Sequence, residues 1–261
     1  MIDKTRSGID FFDQRFGGIF RHRATLCVGR RGSGKTIAAL HALMQSIREG
    51  VRGLMLSAWH SADLSIVADE YGFPLSTAVD SGQIILLEYA QFGPEPELEN
   101  RHVLPPGSFM EFEEIVVANG IRRVVIDTVL PWIAIRQEER LAKHVYSFLH
   151  ALERMEVTAF LTMPRPVSPL AFALKNRMEK QVPVVFTLEV DSDNRRHLLV
   201  NRYLGQSVLP PQMPIAIEPG RGIVPLAVPQ AVPDLARPLP PPPSLPPIMQ
   251  KSIKYSAAFR T

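Results

Sequence analysis

Gly29-Arg30-Arg31-Gly32-Ser33-Gly34-Lys35-Thr36 is the stretch on which the reading of this chain turns. It satisfies G-x-x-x-x-G-K-[ST] at every fixed position. The residues around it supply the context that the pattern needs. Upstream, Ala24-Thr25-Leu26-Cys27-Val28 reads as a strand that ends at Gly29. Downstream, Thr36 to Arg48 places Ile37, Leu40, Leu43 and Ile47 at helical spacing. Between a strand and a helix, Gly29, Gly32 and Gly34 let the backbone curl so that successive N–H groups, Ser33's included, point inward at phosphate oxygens. Lys35 reaches the outer phosphates, the Thr36 hydroxyl is a ligand for Mg²⁺, and the helix start puts the positive end of its dipole under the anion.

Working outward, apolar strand-like runs alternate with helical patterns. Gly53–Ser57, Gln83–Leu87, Arg123–Asp127 and Val157–Thr162 read as strands. Ala62–Tyr71, Phe109–Asn119 and the amphipathic Glu138–Met155 read as helices, and Gly72 and Gly120 stop the first two. Val184–Val190 and His197–Tyr203 form an antiparallel pair across Asp191-Ser192-Asp193-Asn194. Strands alternating with helices predict an α/β fold with a mostly parallel sheet flanked by helices and an antiparallel hairpin at one edge. Asp127 ends an apolar strand downstream of the phosphate loop, where a carboxylate can hold Mg²⁺ directly or through water.

Composition narrows the class. The chain has 261 residues with 46% hydrophobic and 21% charged, as in ordinary globular proteins. One cysteine, Cys27, excludes a disulfide framework, and its place inside a strand suits a small buried hydrophobe. No apolar run is long enough to span a membrane, and Met1-Ile2-Asp3-Lys4-Thr5-Arg6 lacks the apolar core of a signal peptide, so cytoplasm is the expected compartment. The net charge of +3 is too mild to argue for nucleic acid. Proline is unevenly spread: 14 of the 24 fall between Leu209 and Pro247. Residues 1–226 therefore read as one nucleotide-binding domain. Residues 227–261 read as a proline-rich, disordered tail, a spacer or a ligand for a protein that reads PxxP segments.

The lead-in, Thr5-Arg6-Ser7-Gly8-Ile9-Asp10 through Phe16-Gly17-Gly18-Ile19, resembles that of KaiC-like ATPases of the RecA superfamily. The phosphate loop follows at the family's distance, and Arg122–Asp127 resembles its Walker B strand. The resemblance covers about residues 5–226. It implies a RecA-type P-loop NTPase fold, ATP with Mg²⁺, and homo-oligomeric rings, often hexamers. Asn201-Arg202-Tyr203-Leu204-Gly205 is similar to the strand end that offers basic residues to a neighbouring subunit's nucleotide, which makes Arg202 the expected contact in trans.

Departures from the family carry as much information. KaiC-like ATPases end their second strand in a pair of glutamates, one of which activates water. Here those positions read Trp59-His60. Trp59 accepts no proton. His60 is a base by chemistry and a packing histidine by default. Glu88 is the better placed substitute carboxylate, ahead of Asp63. Thr162-Met163-Pro164 stands where the family often has an acidic residue, and Leu204 replaces the second basic residue of the trans pair. A missing general base costs about 10²–10⁴ in rate, and a weakened finger about 10³–10⁵. The expectation is an ATP-binding module controlling assembly or signalling, with slow or absent hydrolysis and no assigned catalytic residue. A DNA-stimulated ATPase is the alternative, resting on Arg165, Lys175, Arg177 and Lys180 after the fifth strand. The seven histidines show no zinc spacing.

Overall fold

A computed structural model describes residues 3–88, 106–129, 138–207 and 212–226. Its frame is a nine-stranded sheet ordered β11-β10-β9-β8-β3-β7-β6-β4-β5. The strands are β3 (Ala24–Gly29), β4 (Arg52–Ser57), β5 (Ile84–Glu88), β6 (Ile121–Asp127), β7 (Thr158–Pro164), β8 (Val184–Val190), β9 (Arg196–Tyr203), β10 (Met213–Glu218) and β11 (Gly222–Pro225). β8-β3-β7-β6-β4-β5 run parallel, and β9, β10 and β11 continue the sheet antiparallel from β8. This is the α/β architecture of a RecA-type fold. The antiparallel part is larger than the sequence suggested. The β8–β9 hairpin lies inside the sheet, and a second hairpin, β10–β11, forms the edge.

Strand periodicity explains the two cores. On β3, Leu26 and Val28 face one layer and Cys27 the other; on β4, Leu54 and Leu56 oppose Met55; on β6, Val124 and Ile126 oppose Val125. All are buried, as strands covered on both faces require. The layer that Cys27, Met55 and Val125 face is closed by α1 (Asp10–Phe16), α2 (Lys35–Arg48), α3 (Ser61–Glu70) and α4 (Leu75–Asp80). The layer that Leu26, Val28 and their counterparts face is closed by α5 (Pro106–Ala118), α6 (Glu138–Arg154) and α7 (Pro169–Gln181). α2 is buried continuously from Ile37 to Ser46, so the helix that starts at the phosphate loop runs through the core.

The lead-in forms its own small unit, the two-stranded sheet β1 (Lys4–Thr5) with β2 (Ile19–Phe20) around α1. Asp13 ties it together: Oδ1 accepts from the Ser7 N–H and hydroxyl at 2.8 and 2.7 Å, and Oδ2 accepts from the Gly8 N–H at 3.1 Å. Gly18 has φ +96°, and a Cβ there would lie 2.1 Å from the Thr5 carbonyl oxygen, so no other residue fits this turn. The chain divides into two units, Met1–Ala227 and Val228–Thr261. The second, and with it the expectation of a disordered tail over 227–261, lies outside the described residues.

Candidate nucleotide site

The parallel strands end together at one edge of the sheet, and the candidate residues sit on those ends. Gly29 closes β3, Ser57 closes β4, Asp127 closes β6 and Pro164 closes β7. A cleft of about 660 Å³ opens over them. Gly32, Gly34, Lys35, Thr36 and Asp127 line it. Sequence order puts Asp127 far from the phosphate loop; sheet order brings it within reach, because only β7 separates β6 from β3. This is the strand-end crevice where open α/β sheets place ligands.

Gly34 holds φ +102° at the start of α2, a conformation that favours glycine, and a Cβ there would lie 2.5 Å from Ile217 Cδ1, so that side-chain end would have to move aside. Lys35 Nζ donates to the Arg30 carbonyl at 2.8 Å, folding the lysine back over its own loop. Burial pushes the Lys35 pKa down, with the Asp127 carboxylate opposing the shift. Thr36 Oγ1 donates to Asp127 Oδ2 at 2.8 Å. Thr162, on the intervening strand, donates its hydroxyl to Asp127 Oδ1. Two hydroxyls thus fix the carboxylate beside the loop. Hydroxyl and carboxylate oxygens suit a hard divalent cation such as Mg²⁺.

A family profile described as "ATPase: KaiC" matches residues 5–227. The chain belongs to the KaiC ATPase family. It is also similar to a protein named "Circadian clock oscillator protein KaiC 1" from Synechocystis sp., 26% identical over 238 residues. That match takes in 86% of this chain and 45% of the relative, so the chain spans less than half of that relative's length.

Against the KaiC pattern, the corner after β4 is the notable difference. Ser57 pairs with Asp127, the Ala58 N–H donates to the Asp127 carbonyl at 3.1 Å, and the Trp59 N–H donates to Ser57 Oγ at 3.1 Å. The backbone is therefore anchored next to the candidate metal ligand. Trp59, 43% exposed, forms part of the cleft wall with Ala58, Val67 and Tyr71. His60 turns away; its side chain is 78% exposed, and Nδ1 lies 3.2 Å from Glu88 Oε2. Glu88 is equally committed. Its Oε1 accepts from the Ser61 N–H at 2.7 Å and the Ser61 hydroxyl at 2.5 Å, capping α3 from outside. Those bonds hold its carboxyl below the usual range. Neither Glu88 nor Asp63 lines the cleft.

Arg202 lies at the other end of β9, pairing with Val185, and donates to the Glu179 carbonyl at 3.1 Å. It lines a separate concavity with Asn176, Glu179, Lys180 and Asn201, away from its own chain's nucleotide cleft. Lys175, one of the cations considered for nucleic acid, is paired with Glu179 at 2.7 Å. Sequence reasoning missed Arg196. It opens β9 at the cleft, and its Nε is buried without a hydrogen-bond partner among the described residues. Only the sheet order, with β9 following β8 next to β3, would have brought it to notice. Ile217, on β10, was missed for the same reason, and Tyr71, just past α3, comes to the cleft only through the packing of that helix.

Proposed function

We propose that the cleft holds ATP with Mg²⁺ and that the bound nucleotide, little hydrolysed, controls self-assembly or signalling. In this reading the N–H groups of Gly29 to Thr36 and the ammonium of Lys35 hold the phosphates. Thr36 and Asp127 hold Mg²⁺, which when bound neutralises charge on the outer phosphates. Thr162 keeps Asp127 aimed, and Arg31 and Arg196 add positive charge along the same wall. Arg202 belongs to a neighbouring subunit's site, since it faces away from its own.

The observation that carries the reading is Trp59 at the anchored corner beside Asp127, where relatives carry a glutamate pair. An indole neither accepts a proton nor orients water by charge, and Glu88, the substitute the sequence favoured over Asp63, is taken up by Ser61 and His60. Binding elements are kept while no water-activating carboxylate faces the cleft among the described residues, which supports a nucleotide-held state over a fast cycle.

The test is light scattering with and without ATP–Mg²⁺, run beside a turnover assay. The expected result is an ATP-dependent increase in mass that Lys35→Ala abolishes, with turnover well below about 1 s⁻¹, where ordinary catalysts begin. Turnover above that value with no partner added would contradict it, and so would mass independent of nucleotide.

A further inference from the structure

α2 has two ends, and the one remote from the phosphate loop is also unusual. From Lys35 to Arg48 the helix covers about 20 Å at 1.5 Å per residue. At the far end a cavity of about 410 Å³ is lined by Lys4 and Arg6 of the lead-in, Arg21 after β2, and Gln45, Arg48 and Glu49 of α2 and its cap. Four cations thus line it with one carboxylate, Glu49; Arg21 is already paired with Asp3 at 2.9 Å and Lys4 Nζ donates to the Phe16 carbonyl at 3.0 Å, which leaves Arg6 and Arg48 without a side-chain partner among the described residues. That carboxylate is already matched: Arg123, 2% exposed, donates to both Glu49 oxygens at 3.1 Å, and the Thr5 hydroxyl donates to Glu49 Oε1. Burial and the Arg123 guanidinium act on Glu49 in opposite senses, and the net effect holds its carboxyl below the usual range. A helix C-terminus carries about half a negative charge, which one basic residue offsets. With Arg48 at the helix end, Arg21 on Asp3 and Lys4 on the Phe16 carbonyl, Arg6 is a positive charge beyond what the described residues here use.

A second observation points to a ligand. Gln45 is 4% exposed and lines this cavity, and its Oε1 is buried with no hydrogen-bond partner among the described residues. An amide oxygen calls for a donor, while the cations call for acceptors. A phosphate monoester or hydrogen phosphate carries both, a hydroxyl and anionic oxygens. The cavity volume falls in the range of small-ligand sites, and no aromatic side chain lines it as a strand-binding platform would require.

We propose that this cavity is a second anion site, for a small phosphorylated molecule, at the opposite end of the phosphate-loop helix from the nucleotide. Arg6 and Arg48, both exposed, bind the phosphate, and Gln45 accepts from a hydroxyl. The site does not depend on the nucleotide reading, and the test keeps the two apart.

Ribose 5-phosphate and inorganic phosphate are titrated by calorimetry into the full chain saturated with ADP–Mg²⁺, and into Lys35→Ala, whose phosphate loop is disabled whether or not it binds nucleotide in the parent. The expected result is saturable uptake of ribose 5-phosphate in both, weakened about tenfold or more by Arg6→Ala with Arg48→Ala, two surface changes that leave the melting temperature in place. Gln45→Leu then weakens ribose 5-phosphate; an equal loss for inorganic phosphate assigns the site to the free ion, and a larger loss for the ester assigns it to the ester. Unchanged affinity in the double arginine variant would overturn the proposal. Absence of uptake would do the same, as would uptake of a single-stranded oligonucleotide without either phosphate.

Discussion

Trp59→Glu returns a carboxylate to the corner where β4 leaves the sheet, and the structure sets what it should achieve. The backbone there is held by the Ser57 hydroxyl and by the Ala58 bond to the Asp127 carbonyl, so the new side chain enters the cleft from a fixed position beside the candidate metal ligands. A positioned general base supplies about 10²–10⁴ in rate, or roughly 2.7–5.5 kcal/mol of barrier. Leu204 and Pro164 still depart from the family pattern, so the gain should lie at the lower end, about 10²-fold. The assay is single-turnover hydrolysis of ATP–Mg²⁺, with ATP affinity measured on the same preparation. Adding Asp127→Asn to the variant should remove the gain, which separates catalysis at this site from a contaminant. If Trp59→Glu binds ATP as the parent does and hydrolyses it no faster, the missing carboxylate is not what limits the reaction, and the reasoning fails.

Three further outcomes follow from the geometry. Asp127→Asn in the parent leaves the Thr36 and Thr162 hydroxyls without their carboxylate, and should lower ATP affinity in Mg²⁺ by about tenfold while changing it little in EDTA, as read by calorimetry. Gly34→Ala forces a Cβ at φ +102° to within 2.5 Å of Ile217 Cδ1, and should cost about 1–3 kcal/mol in urea unfolding as well as weakening nucleotide binding. His41 is buried on α2, its Nε2 accepts from the Ile223 N–H at 2.8 Å, and burial pushes its pKa down to about 4. The unfolded chain takes up that proton first. The contribution is therefore full above about pH 6.5, and it is lost as pH falls toward 4. Between pH 7.5 and 5 the loss is about 2 kcal/mol, measurable as a fall in the denaturation midpoint that His41→Gln flattens.

What the sequence disclosed depended on how local each signal was. The phosphate loop is eight consecutive residues whose conformation is set by their own glycines, and its flanking strand and helix follow from short-range periodicity. Asp127 was legible because it ends an apolar run. The departures at Trp59 and His60 were equally plain, because they are defined by their distance past the end of β4. The pairing of β10 with β11 was not legible. Both strands contain a proline, Pro214 and Pro225, and β11 opens on Gly222; their register pairs Ile215 with Pro225, Ala216 with Val224, Ile217 with Ile223 and Glu218 with Gly222. Read by composition, they blend into the proline-rich stretch. β1 and β2 are two residues each, too short for any period to show.

Within the site, the errors share one cause. Glu88 ends a strand and was a reasonable substitute base, yet the turn into α3 presents the Ser61 N–H and hydroxyl to it, and capping a helix wins over facing the cleft. Arg196 was passed over because its neighbour in space, β8, becomes the link to β3 only once the sheet order is known. Thr162 looked like a loss of acidity near Pro164; in the fold it is the hydroxyl that fixes Asp127. In each case the residue type was visible, and the partner that defines its role comes from a distant segment.

Whether a triphosphate stays whole in this cleft decides between a nucleotide-held state and a working cycle. The direct measurement is to mix the chain with an equal amount of ATP and Mg²⁺, incubate, separate the protein by filtration, and identify the retained nucleotide by chromatography. Intact ATP recovered with the protein is the predicted result. Retained ADP with free phosphate, or no nucleotide retained at all, would contradict it.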